Sequence, residues 1–215
     1  MSDFSARRVT MVDTQVRPSD VTKFPIIAAM LSVQREAYVP HSKIEAAYVG
    51  ENIEIGAGRV MVEARTLAKM LDALDVQPTD RALYIAGGLG YGAAVLARMV
   101  ASVVMVEADA GLAGAAQGSL GGQGVGNVSV VTGALEAGSA GSYDIILIEG
   151  GVHDVPEALL SQLAEGGRIA AIYMQGPLGS VKIGHKADGR VSWRFAFNAT
   201  APVLAGFAKA PAFAL

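Results

Sequence analysis

A short apolar strand, Ala82-Leu83-Tyr84-Ile85, runs into the glycine-rich turn Ala86-Gly87-Gly88-Leu89-Gly90 and then into a helix starting at Tyr91. A second strand, Ser102 to Val106, follows and ends on the carboxylate of Glu107. Few folds accept that order. Strand, tight turn, helix and parallel strand make a βαβ unit, and ligands bind where the first strand gives way to the turn. Glycines let the backbone come close to a ligand, and an acid after the second strand can accept both hydroxyls of a ribose. Gly87, Gly88, Gly90, Tyr91 and Glu107 are therefore candidate cofactor residues.

The alternation continues beyond this unit. Val128 to Val131 reads as a third strand, and Tyr143 to Ile148 as a fourth, apolar on both faces like a buried parallel strand. Asp154-Val155-Pro156-Glu157 predicts a helix start, with Leu159, Leu160 and Leu163 on its buried face and Gly166-Gly167 at its end. Arg168 to Met174 is a fifth strand. The Gly- and Ala-rich stretch from Ala108 to Gly126 predicts only a weak, short helix. Upstream, Arg17-Pro18-Ser19-Asp20 offers a turn and cap before a helix bearing Ile26, Ile27, Met30 and Leu31. Ala64 to Leu74 is a second amphipathic helix, and Ile53 to Arg59 a loop or short hairpin. In the tail, Trp193, Phe195 and Phe197 alternate with polar or small residues, and a last short strand ends at Phe213 and Leu215. With no crossover helix, two such strands pair antiparallel. The reading is one domain over 1–215: a helical segment (1–78), a cofactor-binding core (79–175) and antiparallel C-terminal strands (176–215). The fold class is α/β, a three-layer Rossmann-like arrangement around a seven-stranded sheet.

Composition narrows the function. Of 215 residues 52% are hydrophobic and 17% charged, enough for a full core, and the net charge of −3 with no basic run argues against a nucleic-acid partner. The chain has no cysteine, so disulfides and thiolate metal sites are excluded. His41, His153 and His185 are scattered without metal-ligand spacing, so no metal is expected. The polar stretch Met1 to Arg8 lacks the apolar core of a signal peptide, and Arg98 interrupts the most apolar run, Ala93 to Val106. The expected location is the cytoplasm.

With these motifs in place, the chain resembles the protein-L-isoaspartate O-methyltransferase family nearly end to end. Val33-Gln34-Arg35-Glu36-Ala37-Tyr38-Val39-Pro40 is similar to that family's V-P-R-x-x-F-V-P, and Ala47-Tyr48 with Ile55-Gly56-Ala57-Gly58 to its A-Y and I-G-x-G. Ala82 to Leu96 lies on V-L-E-I-G-x-G-x-G-Y-x-A-A-V-L without a gap. Asn127-Val128 to Gly133 resembles N-V…G-D, and Tyr143 to Ile172 the F-D-x-I…P…L…Q-L…G-G-R segment. The resemblance implies S-adenosylmethionine as cofactor, isoaspartyl proteins or peptides as substrate, and methyl transfer to a carboxylate in protein repair.

The same resemblance marks departures. The family's Q-T-I-S-Q-P, whose hydroxyls sit beside the substrate carboxylate, reads Arg59-Val60-Met61-Val62-Glu63-Ala64 here. Its first-strand acid, facing the cofactor's methionine end, is Tyr84, the first loop glycine is Ala86, and the adenine-binding acid after Gly133 is Ala134. A lost hydrogen bond to a charged or buried group costs about 1.5–3 kcal/mol. Two lost anchors thus weaken cofactor binding by roughly 10²- to 10⁴-fold. With Val60 and Val62 unable to donate from their side chains, Arg59 or Arg65 is the candidate fork for the carboxylate, unless both are surface charges. Glu149, at the end of the fourth strand, is a candidate general base for an acceptor that must lose a proton, or else a salt-bridging or solvated acid. Two other classes stay open at this point. One is a non-catalytic or altered-acceptor relative serving as a ligand- or protein-binding module. The other is a nicotinamide enzyme using Gly88-x-Gly90-x-x-Ala93.

Overall fold

The computed structural model describes residues 3–209. Its N-terminal segment begins with α1 (Phe4–Met11), capped by the Asp3 carboxylate on the Ala6 amide and prolonged through a π-helical turn, Val12–Val16. Asp20 does not cap the next helix. It ends the 3-10 turn Arg17–Ser19 in a left-handed conformation, and α2 (Phe24–Ser32) starts after Lys23 with proline in its first turn. A hairpin of β1 (Ile53–Gly56) and β2 (Arg59–Met61) precedes α3 (Ala64–Ala73). Arg8, Glu36 and Tyr48 fasten α1 to this segment: Arg8 Nη2 lies 3.2 Å from Glu36, Arg8 Nε donates to the Tyr48 hydroxyl, and that hydroxyl donates to Glu36.

The βαβ unit forms as predicted, as β3 (Arg81–Ile85), α4 (Tyr91–Ala97) and β4 (Ser102–Glu107). It is followed by α5 (Ala110–Gly122), β5 (Val128–Thr132), β6 (Tyr143–Val152), α6 (Glu157–Leu160), β7 (Leu163–Gln175), β8 (Leu178–Ala187) and β9 (Arg190–Asn198). The sheet order is β5-β4-β3-β6-β7-β8-β9, parallel from β5 to β7 and antiparallel from β7 to β9. Side chains of the central strands alternate between two cores. Ala82, Tyr84, Ile145, Leu147, Ala170 and Ile172 face the layer that holds α1 to α4. Leu83, Ile85, Ile146, Ile148, Ile169 and Ala171 face a thinner cover that includes Leu159 of α6, Leu204 and Phe207. Among the described residues two βαβαβ halves are not present, which removes the nicotinamide reading's structural basis.

Three expectations need correction. α5 is not short: its 13 residues make it the longest helix among the described residues. Asp109 caps it, Leu112, Ala113, Ala116 and Leu120 bury one face, and that packing outweighs the weak propensity of its glycines. Conversely, α6 is one turn, because Leu163 already enters β7 opposite Tyr143, and Asp154 accepts only from the Val155 amide. The partner of the Trp193 strand is β8, whereas the strand expected at Phe213 and Leu215 lies outside the described residues. Gly179 and Gly184 disguised β8. A Cβ at Gly184 would stand 2.6 Å from Val191 and 2.7 Å from Ile169, so these glycines serve close approach within a strand.

Candidate active site

Polar side chains gather at the carboxyl ends of β3, β4 and β6, where the strand order switches direction and α/β sheets take their ligands. The turn after β3 holds Ala86, Gly88 and Gly90 at φ 66°, 55° and 97°. Ala86, standing where the resembling family has glycine, therefore carries a left-handed backbone that alanine adopts at a cost of about 1–2 kcal/mol.

Glu107, the last residue of β4, is fully buried. Its Oε2 accepts from the Gly88 amide at 2.8 Å, and its Oε1 from the Ala108 and Asp109 amides at 2.9 and 3.3 Å. The remaining donor is a side chain: Arg59 Nη1, on β2, lies 2.7 Å from Oε1. Arg59 Nη2 donates to the Ala86 carbonyl, while its Nε is buried with no partner among the described residues. Ile55 of β1 lies over the same turn, its Cδ1 2.2 Å from where a Cβ on Gly88 would stand. The hairpin thus lies across the glycine turn, and Arg59 reaches the carboxylate predicted to take a ribose. Arg59 is neither a surface charge nor, in this arrangement, a free fork.

Glu149 sits where the β6–β7 register shifts, between Leu147 and Gly151, an irregularity of the kind that re-aims a side chain beside a site. It is buried and neither salt-bridged nor solvated among the described residues. Its oxygens accept from the Val62 amide at 3.1 Å and the Tyr84 hydroxyl at 2.8 Å. Burial pushes its carboxyl up to about 7, against the opposing pull of Tyr84, the Val62 amide, Arg35 and Arg59. Burial, with Glu149 next to it, drives the Tyr84 phenol well above its ordinary value. Gly92 makes the room: a Cβ there would stand 1.7 Å from the Tyr84 oxygen. Val62 contributes its backbone, since its side chain is buried in the core.

Arg35 is a site residue that the sequence reading did not single out. It is entirely buried, donates to the carbonyls of Ala47 and Val62 at 2.8 Å each, and stacks 4.5 Å from the centre of the Tyr91 ring. Tyr91 meets Tyr38 edge-on at 6.1 Å. Among the described residues Arg35 Nη1 and both hydroxyls are buried without hydrogen-bond partners, and burial lifts the Tyr38 phenol to about 12. The available signal was the Val33–Pro40 motif, read for family likeness and not for chemistry.

The other predicted residues separate. Gly133 donates its amide to the Glu107 carbonyl at 3.0 Å, which keeps it beside the turn, while Ala134 is exposed. Arg65 is exposed and tied to Glu63 at 2.8 Å. His153 accepts from the Lys209 amide, a loop role. A groove of about 560 Å³ runs from Asn52, Glu63 and Arg65 past Leu178 to Thr200.

The adenosyl group implied by the resemblance fits this donor set on one condition. Glu107, Gly88 and Gly133 offer an acid and close backbone at the switch point, but Oε1 of Glu107 is already crowded by two amides and Arg59. A ribose diol bonding both oxygens of Glu107 would compete with the guanidinium at Oε1.

A family model described as protein-L-isoaspartate(D-aspartate) O-methyltransferase matches residues 8–194. A protein-L-isoaspartate O-methyltransferase of Koribacter versatilis is 33% identical over 193 residues, covering 89% of this chain and 87% of that relative. One from Methylorubrum populi is 38% identical over 166 residues, 76% and 78% of the two chains. A solved protein-L-isoaspartate O-methyltransferase superposes with a TM-score of 0.83 at 24% identity, over 93% of this chain and 66% of that one. A Plasmodium falciparum structure holding S-adenosyl-L-homocysteine superposes at 0.79 with 16% identity, over 95% and 99%. At these identities the two structures establish the fold.

Proposed function

Because this chain belongs to the protein-L-isoaspartate(D-aspartate) O-methyltransferase family, an S-adenosylmethionine-dependent family, we propose that it methylates the free α-carboxylate of isoaspartyl residues in proteins or peptides, the side-chain carboxyl being taken up in the peptide bond. The observation that carries the assignment to a site is Glu107, buried at the end of β4 beside the glycine turn. In this reading Glu107 and Gly87 to Tyr91 hold the ribose, and Gly133 with Ala134 borders the adenine. The acceptor peptide lies along the hairpin and the groove at Asn52, Glu63 and Arg65. A cysteine-free chain suits a cytoplasmic setting, and no helix among the described residues is long and apolar enough to cross a membrane.

Such a transfer asks mainly for alignment. The acceptor carboxylate is already the nucleophile, and the bound cofactor supplies a sulfonium-activated methyl group. The chain's task is to hold the carboxylate, fix the reacting groups and keep water out. Glu149 fixes the end of β2 through the Val62 amide, and Arg35 fixes the same residue through its carbonyl. Since a carboxylate acceptor loses no proton, Glu149 serves here as a positioning residue. Calorimetry with S-adenosyl-L-homocysteine tests the site: wild type binds and Glu107→Ala does not. Binding by Glu107→Ala as tight as wild type refutes the assignment. In a radiolabelled methyl-transfer assay an isoaspartyl peptide is methylated, and the aspartyl peptide of the same sequence is not.

A further inference from the structure

The functional reading leaves two needs on one residue. Ribose must take Glu107, which Arg59 occupies, and the acceptor carboxylate needs a donor that Val60, Met61 and Val62 lack in their side chains. We propose that Arg59 is a two-position guanidinium, closed on Glu107 while the ribose site is empty and turned to the acceptor's carboxylate once ribose hydroxyls replace it. The inference deepens the methyltransferase reading and rests on it.

Four features carry it. Arg59 opens β2 and so leads into the segment ending at Val62, whose amide and carbonyl are pinned by Glu149 and Arg35. It therefore stands between the ribose carboxylate and the acceptor side of the site. Its present position is incompletely satisfied, since Nε is buried without a partner among the described residues, so the closed pose is not a saturated structural bond. The turn immediately before it, Gly56-Ala57-Gly58, has three successive positive φ values, and nothing stands within 4 Å of a Cβ at Gly56 or Gly58. That turn can change angle without repacking a core. Finally, Arg59 acts electrostatically on Glu149 as well as pairing with Glu107, so the guanidinium is already felt on the Glu149 side of the site. Arg65 is no substitute, being exposed and held by Glu63.

The consequence is coupling. Cofactor binding releases the fork that binds the acceptor, so each ligand strengthens the other by the same factor. Calorimetry of an isoaspartyl hexapeptide with and without saturating S-adenosyl-L-homocysteine reads that factor directly. Wild type binds the peptide at least tenfold more tightly when S-adenosyl-L-homocysteine is present. Arg59→Gln binds S-adenosyl-L-homocysteine alone at least threefold more tightly than wild type and loses the peptide coupling, whereas Arg59→Lys, which keeps the charge, retains part of it. A merely structural arginine would not move the coupling. Peptide binding by wild type that ignores S-adenosyl-L-homocysteine overturns the proposal, as does Arg59→Gln with unchanged coupling. The wild-type measurement decides by itself if the variants do not fold. If folded wild type and Arg59→Gln both fail to bind S-adenosyl-L-homocysteine, the cofactor reading falls, and the switch with it.

Discussion

Replacing Glu149 with glutamine gives the most quantitative test of the site. In the folded chain burial pushes this carboxyl up to about 7, against an ordinary 4.5 in the unfolded chain. The sign follows from proton binding. Below pH 4.5 both states hold the proton. Between 4.5 and 7 the folded state keeps it while the unfolded state releases it, so stability falls as pH rises; above 7 the loss is complete. At 1.36 kcal/mol per pH unit, the total is on the order of 3 kcal/mol, of which about 2 kcal/mol falls between pH 5.5 and 8. Glutamine has no such proton. Its carbonyl can accept from the Val62 amide and its NH2 can donate to the Tyr84 oxygen, which leaves the phenol hydrogen without an acceptor. That defect costs about 1–3 kcal/mol at every pH. The stability of wild type relative to Glu149→Gln therefore falls by about 2 kcal/mol between pH 5.5 and 8. Urea unfolding of both proteins at the two pH values measures it, with the difference between them cancelling every other titration. A gap between the proteins that stays constant with pH would refute the argument that Glu149 holds its proton into the neutral range.

Two further substitutions test packing around the site. Gly92→Ala places a methyl carbon 1.7 Å from the Tyr84 oxygen. It lowers stability by about 1–3 kcal/mol through overpacking, read as a reduced urea midpoint with an altered tyrosine absorbance. Asp80→Ala strips Arg168 of two hydrogen bonds, at 2.8 and 3.3 Å, and the Gln77 amide of one. Leaving that largely buried cation uncompensated costs about 3–5 kcal/mol. Thermal unfolding measures the loss, and an unchanged midpoint would mean that the pair ties the turn before β3 to β7 only weakly.

The βαβ unit was legible because its signal is local. Four apolar residues, a turn that only small residues can make and a helix-spaced run fix β3, the loop and α4 without reference to the rest of the chain. The same holds for Glu107, since a residue at the end of a strand next to such a turn has its position set by strand register alone. Elements whose formation depends on what packs against them were harder to read. β8 carries Gly179 and Gly184 because Ala199, Val191 and Ile169 press on it, and those neighbours are distant in sequence or on other strands. α5 exceeds its propensity because Leu112, Ala116 and Leu120 find a buried face.

Sequence by itself thus determined the family, the central sheet and the place of Glu107 at the end of β4, through patterns that repeat every two or four residues and motifs that span a single turn. Tertiary structure alone decided what that acid touches. Arg59 and Glu107 belong to different sheets, and no local rule pairs them. The bond exists because the β1–β2 hairpin lies across the glycine turn with Ile55 against Gly88. Likewise, Glu149 meets the Tyr84 hydroxyl and the Val62 amide only because β3, β6 and the segment after β2 come together in the folded chain. Side-chain partnership at long range depends on how whole elements stack to bury apolar surface, and burial is also what drives the Glu149 carboxyl to about 7.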